Sequence, residues 1–284
     1  MSAAASPAEL VALRSAAGAE QEFSFSAADF ERVRQLIYQH AGISLHAGKQ
    51  AMVYSRLSRR LRETNIRSFA QYLQSLEKTA ANDPEWQEFV NCLTTNLTSF
   101  FREEHHFHAL ATDLKSRSGQ NLRIWCNAAS TGEEPYSIAM TCAEANASVK
   151  IIASDIDTKV LATAGRGVYS AEARGLSPER LRAHFLRGKG ANSGSIRVKP
   201  ELARLIEFRP HNLMDSRWSL GEPFDIVFCR NVMIYFDGPT QRRVLERIHG
   251  VMKPKSLLFV GHSENFTESK DLFRLRGKTV YERV

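Results

Sequence analysis

Two hydrophobic rhythms divide the chain. Through roughly the first 95 residues the apolar positions recur at helical spacing. After Ser26, which reads as an N-cap ahead of Ala27, Ala28 and Asp29, a stripe of Phe30, Val33, Ile37 and Tyr38 predicts a helix. A second helix is expected from about Lys49 to Thr64, with Val53, Leu57 and Leu61 on one stripe and Arg56, Arg59 and Arg60 on another face. Phe69 to Glu77 and Trp86 to Leu93 form two more, parted by the turn signal Asn82-Asp83-Pro84. Polar Asn96, Thr98 and Ser99 then interrupt before His105 to Leu114 resumes a helical pattern.

From Leu122 the rhythm changes to short apolar runs alternating with amphipathic stretches. Strands are predicted at Leu122 to Asn127, Val149 to Ser154, Ile206 to Phe208, Phe224 to Phe228 and Leu257 to Val260. Helices follow at about Glu134 to Ala145, Lys159 to Arg166 and Thr240 to Met252, the last stopped by Pro254. The alternation implies an α/β fold, a doubly wound sheet. Leu272 to Leu275 and Thr279 to Arg283 flank Gly277-Lys278 as a terminal hairpin. One stretch breaks the order: between Gly167 and Leu205 far more chain intervenes than a crossover needs. There Phe185 to Arg187 and Ser195 to Val198 bracket a glycine-rich turn, which predicts a small antiparallel insertion.

The domain expectations are a disordered leader over 1–24, a helical domain over 25–95, a linker and helix over 96–121, and a Rossmann-like domain over 122–284 with the β insertion at about 168–205. At 284 residues and 43% apolar content the chain can bury a sizeable core. Its apolar runs fall well short of the ~20 residues of a membrane helix, and a cytosolic protein without membrane insertion is expected. Cys92, Cys126, Cys142 and Cys229 are scattered and form no CxxC pair, which argues against a disulfide framework or a zinc site. The net charge of +7 concentrates between Lys49 and Arg67, where Lys49, Arg56, Arg59, Arg60, Arg62 and Arg67 face one acid, Glu63. Such a segment suits an acidic partner.

The candidate chemistry centres on LRIWCNAASTGEEPY, Leu122 to Tyr136, a buried strand running through small residues into a helix whose first turn carries Pro135. Ala128 to Gly132 are small enough to let a ligand approach the backbone. Asp155 ends the next strand, at the spacing from Gly132 where an acidic residue reaches ribose hydroxyls; its competing reading is a helix N-cap, a role Asp157 or Thr158 would serve better. A single glycine followed by Glu133 and Glu134 is not a pyrophosphate cradle, because two carboxylates repel phosphate. An adenosine without phosphates fits, and S-adenosylmethionine is such a molecule. Glu134 either complements its helix dipole or meets the positive charge of that cofactor.

Four blocks carry a family resemblance: NLTSFFRE at 96–103, STGEEPYS at 130–137, ASDID at 153–157 and FCRNVMIYF at 228–236. Together they resemble the CheR chemotaxis receptor methyltransferases, from about Phe25 to the C-terminus. The resemblance implies a class I methyltransferase sheet behind an N-terminal helical domain, and esterification of receptor glutamates with S-adenosylmethionine, leaving S-adenosylhomocysteine. It carries cofactor roles to Asn96, Thr98, Arg102, Glu134, Asp155, Asn212, Leu213, Arg230 and Asn231. It also places Arg102 and Tyr235 beside the transferred methyl group as orienting, catalytic residues. Arg56, Arg59, Arg60 and Arg62 are then expected to dock on the cytoplasmic helices of methyl-accepting chemoreceptors, and in some relatives the β insertion binds a receptor's C-terminal tail. A monomer recruited to membrane receptor arrays follows.

Blander readings stand beside these. The 96–102 segment also reads as a polar linker, Asn212 as a turn residue and Tyr235 as core; Arg102 alternatively forms a salt bridge between the domains. His105, His106 and His108 invite a metal, yet no carboxylate partner stands at suitable spacing, so none is expected. A non-catalytic adaptor using the same crevice is the alternative from another class. A nucleic-acid methyltransferase fits poorly, because Arg230 to Tyr235 is not the Asn/Asp-Pro-Pro-aromatic tetrad of base aminomethylases.

Overall fold

The computed structural model describes residues 22–266 and 269–284. The expected leader lies outside the described residues except for 22–24, where Glu22 pairs with Arg62 at 3.0 Å and the Phe23 ring meets Phe69 edge-on.

The helical unit begins with α1 (Ala27–Ala41). Ser26 accepts the Asp29 N–H and Asp29 answers at the Ser26 N–H, a capping box that satisfies two otherwise orphaned donors. Gly42, at φ 70, closes the helix in the left-handed conformation only glycine adopts freely. Helices α2 (Gln50–Thr64), α3 (Phe69–Lys78) and α4 (Pro84–Leu93) follow, each of the last two opened by a polar cap, Ser68 and Asp83, that the sequence reading did not single out. Phe30, Val33, Ile37, Val53, Leu57, Leu61 and Phe69 meet in one core. Tyr38 is not part of it. Its ring is 38% exposed and its hydroxyl donates to Asp237 at 2.8 Å, so the residue ties the helical unit to the sheet domain.

After α5 (His105–Ser116), strand β1 (Asn121–Cys126) and helix α6 (Glu133–Glu144) open the second domain. Then come β2 (Ser148–Asp155), α7 (Thr158–Arg166), β6 (Ile206–Pro210), β7 (Phe224–Cys229), α10 (Gly238–Gly250), β8 (Met252–Val260), β9 (Phe273–Gly277) and β10 (Val280–Arg283). The sheet order is β6-β2-β1-β7-β8-β10-β9, with β10 antiparallel to β8 and to β9. The strand order reverses beside β1, and that switch point is where an open α/β sheet leaves a crevice past its strand ends. This is the class I methyltransferase sheet, with the hairpin expected about Gly277 forming its antiparallel edge.

Pro254 does not stop a helix. α10 ends at Gly250, and Pro254 lies within β8, where the register against β7 slips between Phe224 and Ile226 and the missing N–H is tolerated.

Between α7 and β6 the insertion forms its own sheet of β3 (Val168–Ser170), β4 (Phe185–Arg187) and β5 (Ser195–Val198), in the order β3-β5-β4. Helices α8 (Pro178–His184) and α9 (Pro200–Ala203) flank it. Gly175 presses on Phe100, where an added Cβ would lie 1.9 Å from the Phe100 carbonyl oxygen. Tyr169 of β3 donates to the Thr131 carbonyl at 2.8 Å. An added Cβ at Gly132 would meet that Tyr169 hydroxyl at 2.6 Å and Ala164 Cβ at 2.9 Å. The small residue at 132 therefore admits the insertion and α7, and not a ligand as the sequence implied; Ala128 and Ser130 are the loop residues that face the crevice.

Candidate active site

The crevice lies where the strand ends of the sheet meet the helical unit, and it holds about 340 Å³, within the range of small-molecule sites. Several threads join its two walls. Asn212 Nδ2 donates to the His40 carbonyl at 2.7 Å, the Tyr235 carbonyl accepts the Ser44 N–H at 2.8 Å, and Gln87 Nε2 reaches the Ile156 carbonyl at 2.8 Å.

Asp155 closes β2 and is buried. Its Oδ2 accepts the Ser130 N–H at 2.8 Å and its Oδ1 the Asp157 N–H at 2.9 Å, leaving acceptor capacity toward the crevice. Burial pushes its carboxyl up to about 6, against the pull of those two N–H groups. The N-cap role falls to Asp157, which accepts the Lys159 and Val160 N–H groups at the head of α7. Asp157 Oδ2 also accepts Asn96 Nδ2 at 2.8 Å and the Thr94 hydroxyl at 2.6 Å, which anchors the 94–98 segment across the crevice. Ser130 completes that clasp by donating to the Asn96 carbonyl at 3.1 Å. Asn96 thus shapes the wall through its side-chain amide, and Thr98 lines the crevice beside it.

Glu134, in the first turn of α6, has a partner that the sequence did not disclose. Arg230 Nη1 pairs with Glu134 Oε2, Arg230 Nη2 donates to the Arg102 carbonyl at 2.5 Å, and Glu103 Oε2 lies 3.3 Å from the same guanidinium. The Arg230 side chain is 1% exposed. Arg230 lines the crevice, and both of its Nη groups also hold the 96–103 segment onto α6. Two carboxylates around one guanidinium leave a formal charge of −1 behind the crevice wall, which suits the sulfonium or ammonium of S-adenosylmethionine. Asn127 Oδ1, buried on the same wall, has no partner among the described residues, so a ligand donor fits there as well.

Phe100 and Phe101 are buried, and Arg102 lines the crevice with Nη1 on the Leu97 carbonyl at 2.9 Å. Among the described residues no carboxylate lies within ion-pairing distance of Arg102, so the interdomain salt-bridge reading does not apply, and most of its donors are available. Tyr235 follows β7 on the opposite side, packs on the helical core and reaches the Thr95 carbonyl at 3.5 Å. Leu213, Asn212 and Asn231 line the crevice too; Asn212 Oδ1 accepts the Met214 N–H at 2.9 Å, which gives it the turn role and an interdomain role together. Lys49, Thr94, Thr95, Asn127 and Ile156 also line the crevice and were missed from sequence. Ile156 and Asn127 carried a signal, their places at the ends of β2 and β1.

The four arginines of α2 do not form one free face. Arg56 Nη1 caps α4 by donating to the Thr94 carbonyl at 2.6 Å and the Leu93 carbonyl at 3.2 Å. Arg60, 17% exposed, is clamped by Glu85 at 2.5 Å and by Glu63 at 3.1 Å, and its pKa is raised by those bonds. Docking by Arg56 and Arg60 is corrected for that reason: their donors already satisfy helix ends and carboxylates. Arg59 is 76% exposed with only Glu63 beside it at 3.0 Å, and Arg62 pairs with Glu22 on the surface.

Among the histidines, folding supplies the carboxylate the sequence lacked. Glu103, His105 and His262 bring one ligand atom each within 4.8 Å of one another. The Arg230 guanidinium beside Glu103 is already the counter-charge there, and burial with the neighbouring Lys278 holds His105 below its ordinary pKa.

Known proteins agree with this architecture. The all-alpha domain of the CheR methyltransferases matches residues 28–94, and their SAM binding domain matches residues 96–282. The chemotaxis protein methyltransferase of Klebsiella aerogenes is 53% identical over 266 residues, covering 92% of this chain and 91% of that one. That of Escherichia coli is 50% identical over 266 residues, with 92% of each chain covered, and the chemotaxis protein methyltransferase 2 of Pseudomonas aeruginosa is 53% identical over 269 residues, 92% of this chain and 95% of that one. With both domain matches in chain order and half of the residues shared with full-length relatives, this S-adenosylmethionine-dependent methyltransferase belongs to the CheR family.

Proposed function

We propose that the enzyme esterifies glutamate side chains on the cytoplasmic domains of chemoreceptors, the methylation step of chemotactic adaptation. The observation that carries this is the pairing, across one crevice, of a buried anionic wall with Arg102, whose guanidinium keeps most of its donors for a carboxylate. On the anionic side, Asp155 accepts from ribose hydroxyls, Leu213 and Asn212 flank the adenine, and the Glu103–Arg230–Glu134 cluster complements positive charge. The cofactor supplies an electrophilic methyl group on a sulfonium. Arg102 holds the acceptor glutamate by its planar fork, and Tyr235 completes the orientation from the far wall.

The acceptor, with an ordinary pKa near 4.3, is ionised at neutral pH, so this chain need not provide a base. Alignment of reacting atoms and exclusion of water then carry the rate, worth up to ~7–11 kcal/mol in favourable cases. No metal enters the scheme.

Arg59 and Arg62 are the exposed charges on α2 for an acidic receptor helix. The exposed edges of the β3-β5-β4 sheet are the place for an added receptor-tail strand, which would raise local enzyme concentration without altering the chemistry. The enzyme acts as a cytoplasmic monomer recruited to receptor arrays, and no described helix is long and apolar enough to cross a membrane.

The test is incubation with methyl-labelled S-adenosylmethionine and receptor-containing membranes, with and without free tail peptide. Base-labile label on the receptor, reduced by the peptide, is the expected result. Failure to label any receptor would leave the crevice as a docking switch and reject the glutamate reading; label indifferent to millimolar peptide would confine the insertion to a structural part.

A further inference from the structure

Glu264 has no place in the scheme so far, although its carboxylate is 95% buried, by an exposure of 5%. It follows β8, one strand over from the crevice loop that follows β7. Its Oε1 accepts the Val232 N–H at 2.9 Å and the Met233 N–H at 2.8 Å. Its Oε2 accepts the Asn231 N–H at 3.0 Å and the Gly261 N–H at 2.5 Å. Four backbone donors therefore converge on one carboxylate, and three of them come from consecutive residues of the turn that leads to Tyr235. That turn is not relaxed: Asn231 sits at φ 58, a left-handed conformation that an L-residue other than glycine adopts rarely. Gly261 packs closely on this turn: an added Cβ would lie 3.0 Å from the Asn231 backbone nitrogen and 3.0 Å from Glu264 Oε2.

A buried carboxylate is costly to keep unless its lone pairs are filled, and here they are filled by main chain alone. The successive N–H groups form an anion nest, with the anion supplied by the protein itself. Without it, Asn231 would lose the bond that offsets its strained backbone, and the segment from Asn231 to Tyr235 would be free to relax away from the crevice.

We propose that Glu264 is a positioning residue for methyl transfer: its carboxylate fixes the Asn231–Tyr235 turn so that Asn231 and Tyr235 face the cofactor and the acceptor. This rests on the reading of those two residues as site groups. The charge matters more than the volume. A glutamine of the same shape presents an N–H₂ to two of the four N–H donors, whereas an aspartate keeps the anion and draws it back by one methylene.

The experiment compares full-length wild type, Glu264→Gln and Glu264→Asp at a temperature well below each protein's Tm, measuring kcat on receptor membranes and S-adenosylhomocysteine affinity. Glu264→Gln is expected to lose about tenfold or more in kcat and about threefold in affinity with its circular dichroism intact, and Glu264→Asp to lose less than Glu264→Gln. A purely structural carboxylate would lower Tm yet leave kcat and affinity of the folded variant within about twofold of wild type, and that result overturns the proposal. If Glu264→Gln does not fold, Glu264→Asp decides, since wild-type kcat with the carboxylate withdrawn also overturns it. Two variants that both fail to fold would assign Glu264 to stability and do the same. A wild type that labels no receptor would reject the glutamate-methylating chemistry of the site and leave the anchoring claim to be read from the S-adenosylhomocysteine affinities.

Discussion

Asp155 stands at the end of β2 with two backbone N–H bonds and a carboxyl raised to about 6 by burial. Ribose hydroxyls that donate to it favour its ionised form, so cofactor binding expels the proton that the free enzyme holds below that value. Affinity for S-adenosylhomocysteine should therefore weaken as pH falls through 6, with proton release visible when calorimetry is repeated in buffers of different ionisation enthalpy. Asp155→Ala should cost ~1–3 kcal/mol of binding and abolish that proton release. Unchanged affinity in a folded variant would remove Asp155 from the site. Arg102 admits an equally direct test. Since no carboxylate pairs with it among the described residues, Arg102→Lys should leave Tm within a degree or two, about the spread of a neutral surface change, and cut kcat by about 10²-fold through loss of the fork. A lysine variant that methylates at the wild-type rate would show that Arg102 does not orient the acceptor by geometry.

At the scale of the element, α2 separates charge that holds the fold from charge that faces outward. Arg60 bridges α2 to α4 through Glu85, which also accepts the Tyr72 hydroxyl at 2.7 Å. Reversing it strands a partly buried carboxylate beside another acid. Arg60→Glu should therefore lower stability by ~2–4 kcal/mol, read as a drop in Tm, whatever it does to activity. Arg59 has only an exposed pair with Glu63, worth little, so Arg59→Glu should leave Tm unchanged and raise the KM for receptor membranes, the more so at low salt. If KM for Arg59→Glu matches wild type at low salt, the α2 face is not the docking surface. The periodicity of α2 was legible because three stripe residues at helical spacing need only a core on one side. Which arginines were free was not, because Glu85 and the carbonyls of Leu93 and Thr94 belong to a different helix.

Five imidazoles of the molecule are wholly or partly withdrawn from water. Burial lowers the pKa of His40, His105, His106, His184 and His211, that of His106 down to about 2. A base whose folded pKa is depressed contributes stability above its ordinary value of 6.5, and loses it as pH falls, because the unfolded chain takes up the proton first. Asp155 acts in the opposite sense, favouring the fold below its ordinary 3.8 and losing that contribution as pH rises to about 6. Asp113 and Glu264, whose carboxyls burial also raises, act in the same sense as Asp155, and five imidazoles against three carboxyls predict a Tm lower at pH 5.5 than at pH 7.5 in the free enzyme. A scan that is flat or rising toward pH 5.5 would mean those imidazoles are solvated.

The sequence by itself determined the elements and their order: capping Ser26, the turn at Asn82-Asp83-Pro84, the stripes of the first two helices, the apolar runs that became β1, β2 and β7, and the break that became the insertion. These follow from interactions within a few residues, where spacing along the chain is spacing in space. It also located Asp155, since a strand end beside the switch point faces the crevice whatever packs around it, whereas the 96–103 motif carries its signal only through the family resemblance. Tertiary structure decided the partners. Arg230 joins Glu134 across 96 positions, Asn212 ties His40 across 172, and Glu264 collects the N–H groups of a turn more than thirty residues before it. A side chain's type and place along the chain state what it is able to bond; only the packing of distant segments selects the bond, because burial makes each unpaired donor or charge costly and so forces a particular partner.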